Sequence, residues 1–247
     1  PMVAEGRVYV GSDDGCAYCF QAVDGSLVWK IRAGHREDKV LGNGKMISLW
    51  PIRTGVLVED GVAYFAAGVF PAESLFLYAV NAADGTVLWC NDNFGEEGYK
   101  LEFGGISPQG PLLSSKTTLF VPSGRAMPGA FNKSTGEFLN FLSPGGKVGG
   151  TWALVTGDRL IAGADEKRVY DVERGRPVRE AVYAWFPGWH LVVAEQYAYM
   201  LTYDELVALD RKAFTFAEQW RGQVDAERRP LEEKPKRLDA ERRRATT

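Results

Sequence analysis

Two stretches of this chain repeat each other at the positions that turn a strand and at the positions that pack it. The first runs Gly6-Arg-Val-Tyr-Val-Gly-Ser12 and then Cys16-Ala-Tyr-Cys-Phe-Gln-Ala-Val-Asp-Gly-Ser-Leu-Val-Trp29. The second runs Gly61-Val-Ala-Tyr-Phe-Ala-Ala-Gly68 and then Leu75-Phe-Leu-Tyr-Ala-Val-Asn-Ala-Ala-Asp-Gly-Thr-Val-Leu-Trp89. In both, an Asp-Gly turn precedes an aliphatic strand that ends in Trp. The step from glycine to indole is the same, Gly25 to Trp29 and Gly85 to Trp89. Self-similarity of this kind is the signature of a repeat architecture and limits the fold more than any composition does.

Weaker copies come after these two. Thr118-Leu-Phe-Val-Pro122 with Ala130-Phe-Asn-Lys-Ser-Thr-Gly-Glu-Phe-Leu-Asn140 keeps the turn and loses the Trp. The stretches Asp158–Val178 and Tyr197–Arg211 keep progressively less. The physical order within a copy is constant. A short strand meets a tight polar-Gly turn such as Glu59-Asp-Gly61, a β-branched and aromatic strand follows, then a third strand, an Asp-Gly or Thr-Gly turn and a last strand. Asp or Asn before Gly suits a hairpin because both tolerate positive φ. Four antiparallel strands with short turns make one blade, and blades set radially bury their faces on one another. The expectation is an all-β propeller of four-stranded antiparallel blades. A sandwich or an unclosed meander is the alternative, but neither requires the Gly-x-x-x-Trp step to recur.

The Asp/Thr-Gly-x-x-x-Trp ending after Tyr-Ala-Val resembles the tryptophan-docking repeat of the pyrroloquinoline-quinone (PQQ)-like propellers. That family includes quinoprotein alcohol dehydrogenases and the propeller scaffold of the outer-membrane assembly machine. The resemblance covers most of residues 1–210 and is strongest over residues 1–92. It implies that Trp29 and Trp89 each pack against a peptide plane of the neighbouring blade, with Gly25 and Gly85 as the turn glycines of the docking motif. The region from His35 to Gly61, with Leu49-Trp-Pro-Ile-Arg53, is also similar to uncharacterised propeller proteins of planctomycete-type bacteria. Family propellers carry seven or eight blades, and this chain supplies about five. Chain start at Pro1 without an initiator Met reads as a fragment or processed chain, with the remaining blades supplied by the rest of the full-length protein.

The blades are placed at residues 1–34, 50–92, 107–143, 149–182 and 188–216. Long polar or Gly-rich connections separate them, His35 to Ser48 and Phe94 to Gly105 being the longest. The chain then changes character, and residues 217–247 read as a charged helical or disordered segment. From Glu218 to Arg244 there are nine basic and seven acidic residues, and aromatics cease after Trp220. Such a composition makes a solvated helix or tail.

Function is constrained mostly by absences. The formal net charge of −3 gives no reason to expect nucleic acid or an anionic membrane as partner. No apolar run of about 20 residues is present to span a bilayer. The three cysteines, Cys16, Cys19 and Cys90, cannot all pair within the chain. Cys16 and Cys19 form a C-x-x-C within a strand, where an offset of three puts them on opposite faces. A buried structural role suits them better than zinc or redox chemistry, which would need more ligands or a helix N-terminus. No nucleophile elbow, zinc-protease helix or phosphate loop is found.

No catalytic residue and no metal ligand set is therefore expected, and no cofactor. A quinoprotein oxidoreductase holding PQQ with calcium is the alternative, but its vicinal Cys-Cys pair is absent and no Asp-rich cluster stands out. If a ligand binds, the residues leading into each first strand face the channel, which makes Arg53, Gln109 and His190 the candidates. Backbone or water can equally satisfy them. The long loops are the second place to look, because loops on a rigid scaffold often carry binding. The function expected is a non-catalytic scaffold for protein or ligand binding. The family resemblance implies a bacterial periplasm or cell envelope, and a purely structural segment of a larger protein is the third reading.

Overall fold

The computed structural model describes residues 1–42, 44–92, 106–124, 127–141, 150–163, 168–172 and 190–245. The chain divides into two compact units, Pro1–Arg179 and Glu180–Thr247. The first unit opens with a four-stranded antiparallel sheet of β1 (Met2–Ala4), β2 (Arg7–Gly11), β3 (Cys16–Gln21) and β4 (Leu27–Arg32), in chain order. A two-stranded hairpin of β5 (Lys39–Gly42) and β6 (Lys45–Ser48) comes next, within the segment expected to be a polar connection. The second sheet holds β7 (Leu57–Glu59), β8 (Val62–Ala67), β9 (Phe76–Asn81) and β10 (Val87–Asn91). The third holds β11 (Leu113–Ser114), β12 (Thr118–Val121), β13 (Gly129–Asn132) and β14 (Phe138–Phe141). Among the described residues the fourth copy shows three strands, β15 (Ala153–Thr156), β16 (Arg159–Ala162) and β17 (Arg168–Asp171). These are propeller blades, each a meander of neighbours.

The turns explain why the chain folds back where it does. Glu5 and Gly6 have φ of 49° and 71°, and Asp60 and Gly61 have 50° and 74°. Two successive positive φ values are what a two-residue type I′ hairpin needs, and its twist matches that of the strands it joins. A second bond recurs in every copy and ties the end of the third strand to this first turn. Ala22 N–H donates to the Gly6 carbonyl at 2.8 Å, Ala82 to Gly61 at 2.9 Å, Lys133 to Thr117 at 2.9 Å and Val172 to Asp158 at 3.0 Å.

Side-chain alternation then builds the core between blades. In β8, Ala63, Phe65 and Ala67 join a cluster with Tyr9, Cys19 and Trp29 of blade one. Tyr64 and Ala66 of the same strand face the other way and cluster with Leu119, Val121 and Phe131 of blade three. The strand β9 divides likewise, with Phe76, Tyr78 and Val80 on one side and Leu77 and Ala79 on the other. Successive side chains of a strand point to opposite faces, so a strand buried on both faces has no polar side. Burying a side chain such as Phe65 contributes about 1.5–3 kcal/mol, and blade two gains this on each face.

The second unit carries a fifth copy, β18 (His190–Val193), β19 (Tyr197–Leu201) and β20 (Leu206–Asp210). Here too the third strand is tied to the first turn, by Arg211 N–H to the Gln196 carbonyl at 2.9 Å. The fourth strand is replaced by a helix, α1 (Arg211–Ala245), which begins six residues before the charged segment expected from composition. Asp210 explains the early start. Its carboxylate accepts from Ala213 N–H at 2.9 Å, the bond of an N-cap. In blades two and three the equivalent Asn81 and Asn132 make the corresponding side-chain bonds to Ala83, Ser134 and Thr135, and a turn results.

A polar bridge crosses from blade two to blade three. The Lys133 ammonium lies 2.7 Å from a Glu59 carboxylate oxygen, which also accepts from the Ser114 hydroxyl. Burial pushes the Glu59 carboxyl up, but the bonds from Lys133 and Ser114 outweigh it and hold it below the usual carboxylate range. A depressed carboxylate adds stability that is present above its unfolded pKa and is lost as pH falls through the folded value. Acidification below about pH 4 should therefore lower the urea midpoint. Lys133→Met should flatten that dependence while costing under about 1 kcal/mol at neutral pH, because Glu59 is partly solvated. Equal acid sensitivity in the two proteins would refute the assignment.

Candidate functional site

The outer strand of each complete blade carries the same irregularity. The β3–β4 pairing shifts register between Cys19 and Phe20, so that Trp29 stands opposite Cys19 and Leu27 opposite Phe20. In β9–β10 the shift lies between Val87 and Trp89, with Trp89 opposite Ala79. In β13–β14 it falls between Ala130 and Phe131, with Asn140 opposite Ala130. One extra residue on the bulged strand bends it and re-aims the next side chain. At Trp29 and Trp89 the side chain so aimed is an indole.

Trp29 reaches blade two. Its Nε1 donates to the Ala82 carbonyl at 3.0 Å, and the Tyr9 hydroxyl donates to the same oxygen at 3.1 Å. The two rings lie 5.9 Å apart and tilted. The indole covers Gly85, where an added Cβ would stand 2.9 Å from Trp29 Cγ. Gly85 also has φ of 79°, so both its backbone and its neighbour demand glycine. Trp89 repeats the arrangement on blade three. A Cβ at Gly136 would stand 2.4 Å from its ring, and Tyr64 lies 6.1 Å away as its tilted partner. Gly25 has the same backbone, with φ of 72°, but among the described residues nothing comes within 4 Å of its Cβ position.

The polar candidates sit apart from these contacts. Arg53 and Gln109 occupy equivalent places, each four residues before the inner-strand residue, Leu57 or Leu113, that pairs with Tyr64 or Phe120. Both are engaged within the protein. Arg53 Nε lies 2.9 Å from an Asp13 carboxylate oxygen, which ties the segment entering blade two to the β2–β3 turn of blade one. Gln109 Nε2 donates to Ser107 Oγ at 3.1 Å, and Ser107 Oγ donates to the Val69 carbonyl at 2.8 Å. His190 lies exposed at the start of β18, opposite Leu201, in the second unit. Arg53 and Gln109 thus share one register position in neighbouring blades, and His190 is not brought to them within a unit.

Other residues take roles that the strand pattern alone did not assign. Trp50 is a buried wedge. Its Nε1 donates to the Glu73 carbonyl at 2.7 Å, its ring meets Phe76 edge-on, and a Cβ at Gly34 would stand 2.4 Å from it. Thr54 is 3% exposed and its hydroxyl accepts from Ala66 N–H at 3.1 Å. Asp13 reads in sequence as an ordinary turn residue, and only the fold brings Arg53 to it. Cys16 and Cys19 are buried on opposite faces of β3, and burial pushes both thiols up, the reverse of a reactive pair. Cys90 is exposed. Among the described residues no three His, Cys, Asp or Glu side chains gather as metal ligands. No helix of the described residues is long and apolar enough to cross a membrane.

The shared acceptor at Ala82 gives a sharp test. Trp29→Phe and Tyr9→Phe each leave one donor on that carbonyl and should cost about 1 kcal/mol. The double variant leaves it without either donor, so its loss should exceed the sum of the single losses. Urea denaturation of the four proteins measures this, and strict additivity would refute the shared bond.

A family model described as outer membrane protein assembly factor BamB matches residues 1–213. Comparison with the curated proteins finds no match. Among solved structures, BamB from Moraxella catarrhalis aligns with a TM-score of 0.56 and 19% identity, over 86% of this chain and 57% of that one. Quinohemoprotein alcohol dehydrogenase from Comamonas testosteroni aligns at 0.57 and 14% identity, over 85% of this chain and 41% of that one. Quinohemoprotein alcohol dehydrogenase ADHIIG from Pseudomonas putida HK5 aligns at 0.53 and 16%, over 80% and 42%. The chain therefore spans little more than half the length of the BamB structure and about two-fifths of each dehydrogenase. At such identities the structures speak for the fold, while the family rests on the match over residues 1–213. The chain belongs to the PQQ-like β-propeller family represented by the outer membrane protein assembly factor BamB.

Proposed function

We propose that this chain is a non-catalytic propeller scaffold that binds other proteins in the bacterial cell envelope. The observation that carries the reading is the use the fold makes of its polar groups. Arg53 and Gln109, the residues expected from the sequence to meet a channel ligand, are bonded to Asp13 and Ser107. Trp29 and Trp89 act in this reading as docking residues between blades, with Gly85 and Gly136 as their seats. On the β5–β6 hairpin, Leu41 and Met46 stand directly opposite each other and are 72% and 62% exposed. Cross-strand neighbours on one face act as a unit, and a rigid scaffold presenting such a hairpin suits protein contact. The envelope location and the protein partner both derive from the BamB family, whose name describes an assembly factor of outer membrane proteins.

The dehydrogenase likeness supplies the competing activity. It is tested by adding PQQ with calcium to the purified chain. The expected result is an unchanged quinone absorption spectrum and no dye-linked oxidation of alcohols. Quinone uptake with alcohol turnover would overturn the scaffold reading. A companion experiment compares cross-linking to envelope proteins for the natural chain and for Leu41→Ser/Met46→Ser. Loss of defined cross-links at an unchanged melting temperature is the expected outcome. An unaltered pattern would remove the hairpin from the interface.

A further inference from the structure

The helix α1 carries a seven-residue period that its charged composition hides. Val224-Asp-Ala-Glu-Arg-Arg229 and Leu238-Asp-Ala-Glu-Arg-Arg243 differ only in their first residue and lie two heptads apart. Counted in sevens from Ala217, the first column, a, reads Ala217, Val224, Leu231, Leu238 and Ala245. Every one is aliphatic, although the helix Arg211–Ala245 is rich in Arg, Lys and Glu. Residues seven apart lie on one side of a helix, turned by only about 20° per step. An aliphatic residue at each such step is the seam of a coiled coil, narrower than the face of a helix that packs on a globular core.

The charges are sorted about this seam. Column b, one residue on, is Glu218, Asp225, Glu232 and Asp239, and it turns away from the seam. From residue 221 to residue 244 the flanking columns, e and g, hold Arg221, Arg228, Arg237, Arg242 and Arg244 and no carboxylate. Column d opens within this part of the helix at Trp220, which is 63% exposed, and Val224, one turn on, is 40% exposed. Phe216, one turn before, is 73% exposed. This end of the seam is thus open to solvent. Further along, column d is Glu227, Lys234 and Glu241. Polar residues in a seam fix the register of a pair at a cost in stability. Pro230 and Pro235 fall in columns g and e, so neither interrupts the seam. Each still removes a backbone donor, which leaves α1 with much to gain from a partner.

We infer that α1 is one half of a two-chain coiled coil, and that the other half is a helix of a different protein with an aliphatic seam flanked by Glu or Asp. A second copy of α1 does not fit. Paired in parallel, it sets Glu227 on Glu227, Lys234 on Lys234 and Arg237 beside Arg242. Paired antiparallel, it brings one arginine flank against another. Like charges at these positions select against a pairing. A lipid interface does not fit either, because binding there scales with buried apolar area and the seam beyond Val224 is a single column. Acidic flanks on the partner meet the five arginines with the charge they lack, and arginine pairs with carboxylate through two parallel N–H···O bonds. The inference rests on the scaffold reading only in that the partner is a protein, and it uses a different element from the β5–β6 hairpin.

The probe is a synthetic helix as long as the seam, with Leu at a and d and Glu at e and g. The full 247-residue chain is titrated with it and with a matched peptide bearing Lys at e and g. The acidic peptide should bind one to one and about tenfold more tightly than the basic one, weakening as salt rises. Helical circular dichroism of the mixture should exceed that of the separate components. Val224→Asp/Leu231→Asp should abolish binding at an unchanged thermal midpoint. Arg221→Glu/Arg228→Glu/Arg237→Glu should reverse the preference in favour of the basic peptide, a result that loss of folding cannot produce. Leu41→Ser/Met46→Ser should bind the acidic peptide as the natural chain does, and loss of binding there would overturn the proposal by moving the site to the hairpin. Absence of binding, or equal affinity for the two peptides, would overturn it as well. So would self-association of the chain that Val224→Asp/Leu231→Asp abolishes, in favour of a second copy. Binding to phosphatidylglycerol vesicles that the same variant abolishes, with neither peptide bound, would overturn it in favour of a lipid surface.

Discussion

A sheet that is apolar on both faces is stable only between two others, and this constraint organises the first unit of the protein. Blade two meets it fully, with Ala63, Phe65 and Tyr78 turned to blade one and Tyr64, Leu77 and Ala79 turned to blade three. Desolvation of both faces is the dominant favourable term, since it scales with apolar area removed from water. It is also non-directional, so it does not by itself set how one blade sits on the next. The directional part comes from a few polar contacts at the outer edge.

Those contacts combine three local features that have no value singly. A bulge re-aims one side chain, that side chain is Trp29 or Trp89, and the next blade offers a left-handed glycine beneath it. The Ala82 carbonyl adds a fixed point by accepting from both Tyr9 and Trp29. Between blades two and three the Glu59–Lys133–Ser114 bridge adds a second link of a different kind. Where the indole is lost, at Asn140, the bulge persists. The backbone device is thus more durable along the chain than the side chain it serves.

The same economy bears on function. Side chains that look available in sequence are mostly committed to holding blades and connections together. Arg53 anchors the segment entering blade two, Trp50 wedges against Phe76, and Ser107 links blade three back to Val69. The exposed apolar pair on the β5–β6 hairpin lies outside that framework.

Much of the fold was legible because the repeat is local. Gly25 and Gly85 mark turns whose φ values only glycine adopts easily, and the apolar strands around Tyr9 and Tyr64 follow from alternation. The β5–β6 hairpin was not expected, because its strands, Lys39-Val-Leu-Gly42 and Lys45-Met-Ile-Ser48, are four residues each and set two apolar residues side by side with no period of two, although the Asn43-Gly44 pair between them is a hairpin signal. The start of α1 was hidden for a related reason. Asp210 stands where Asn81 and Asn132 stand, and the same side-chain bond serves a turn or a helix cap depending on the residues that come after it. The amino-acid sequence by itself determined the strands, their turns and the repeating unit, since these rest on near-neighbour sterics. Only the tertiary structure decided which partner each polar group takes, Arg53 with Asp13 across 40 positions and Trp29 with Ala82 across 53, because such pairs exist only once two blades have packed.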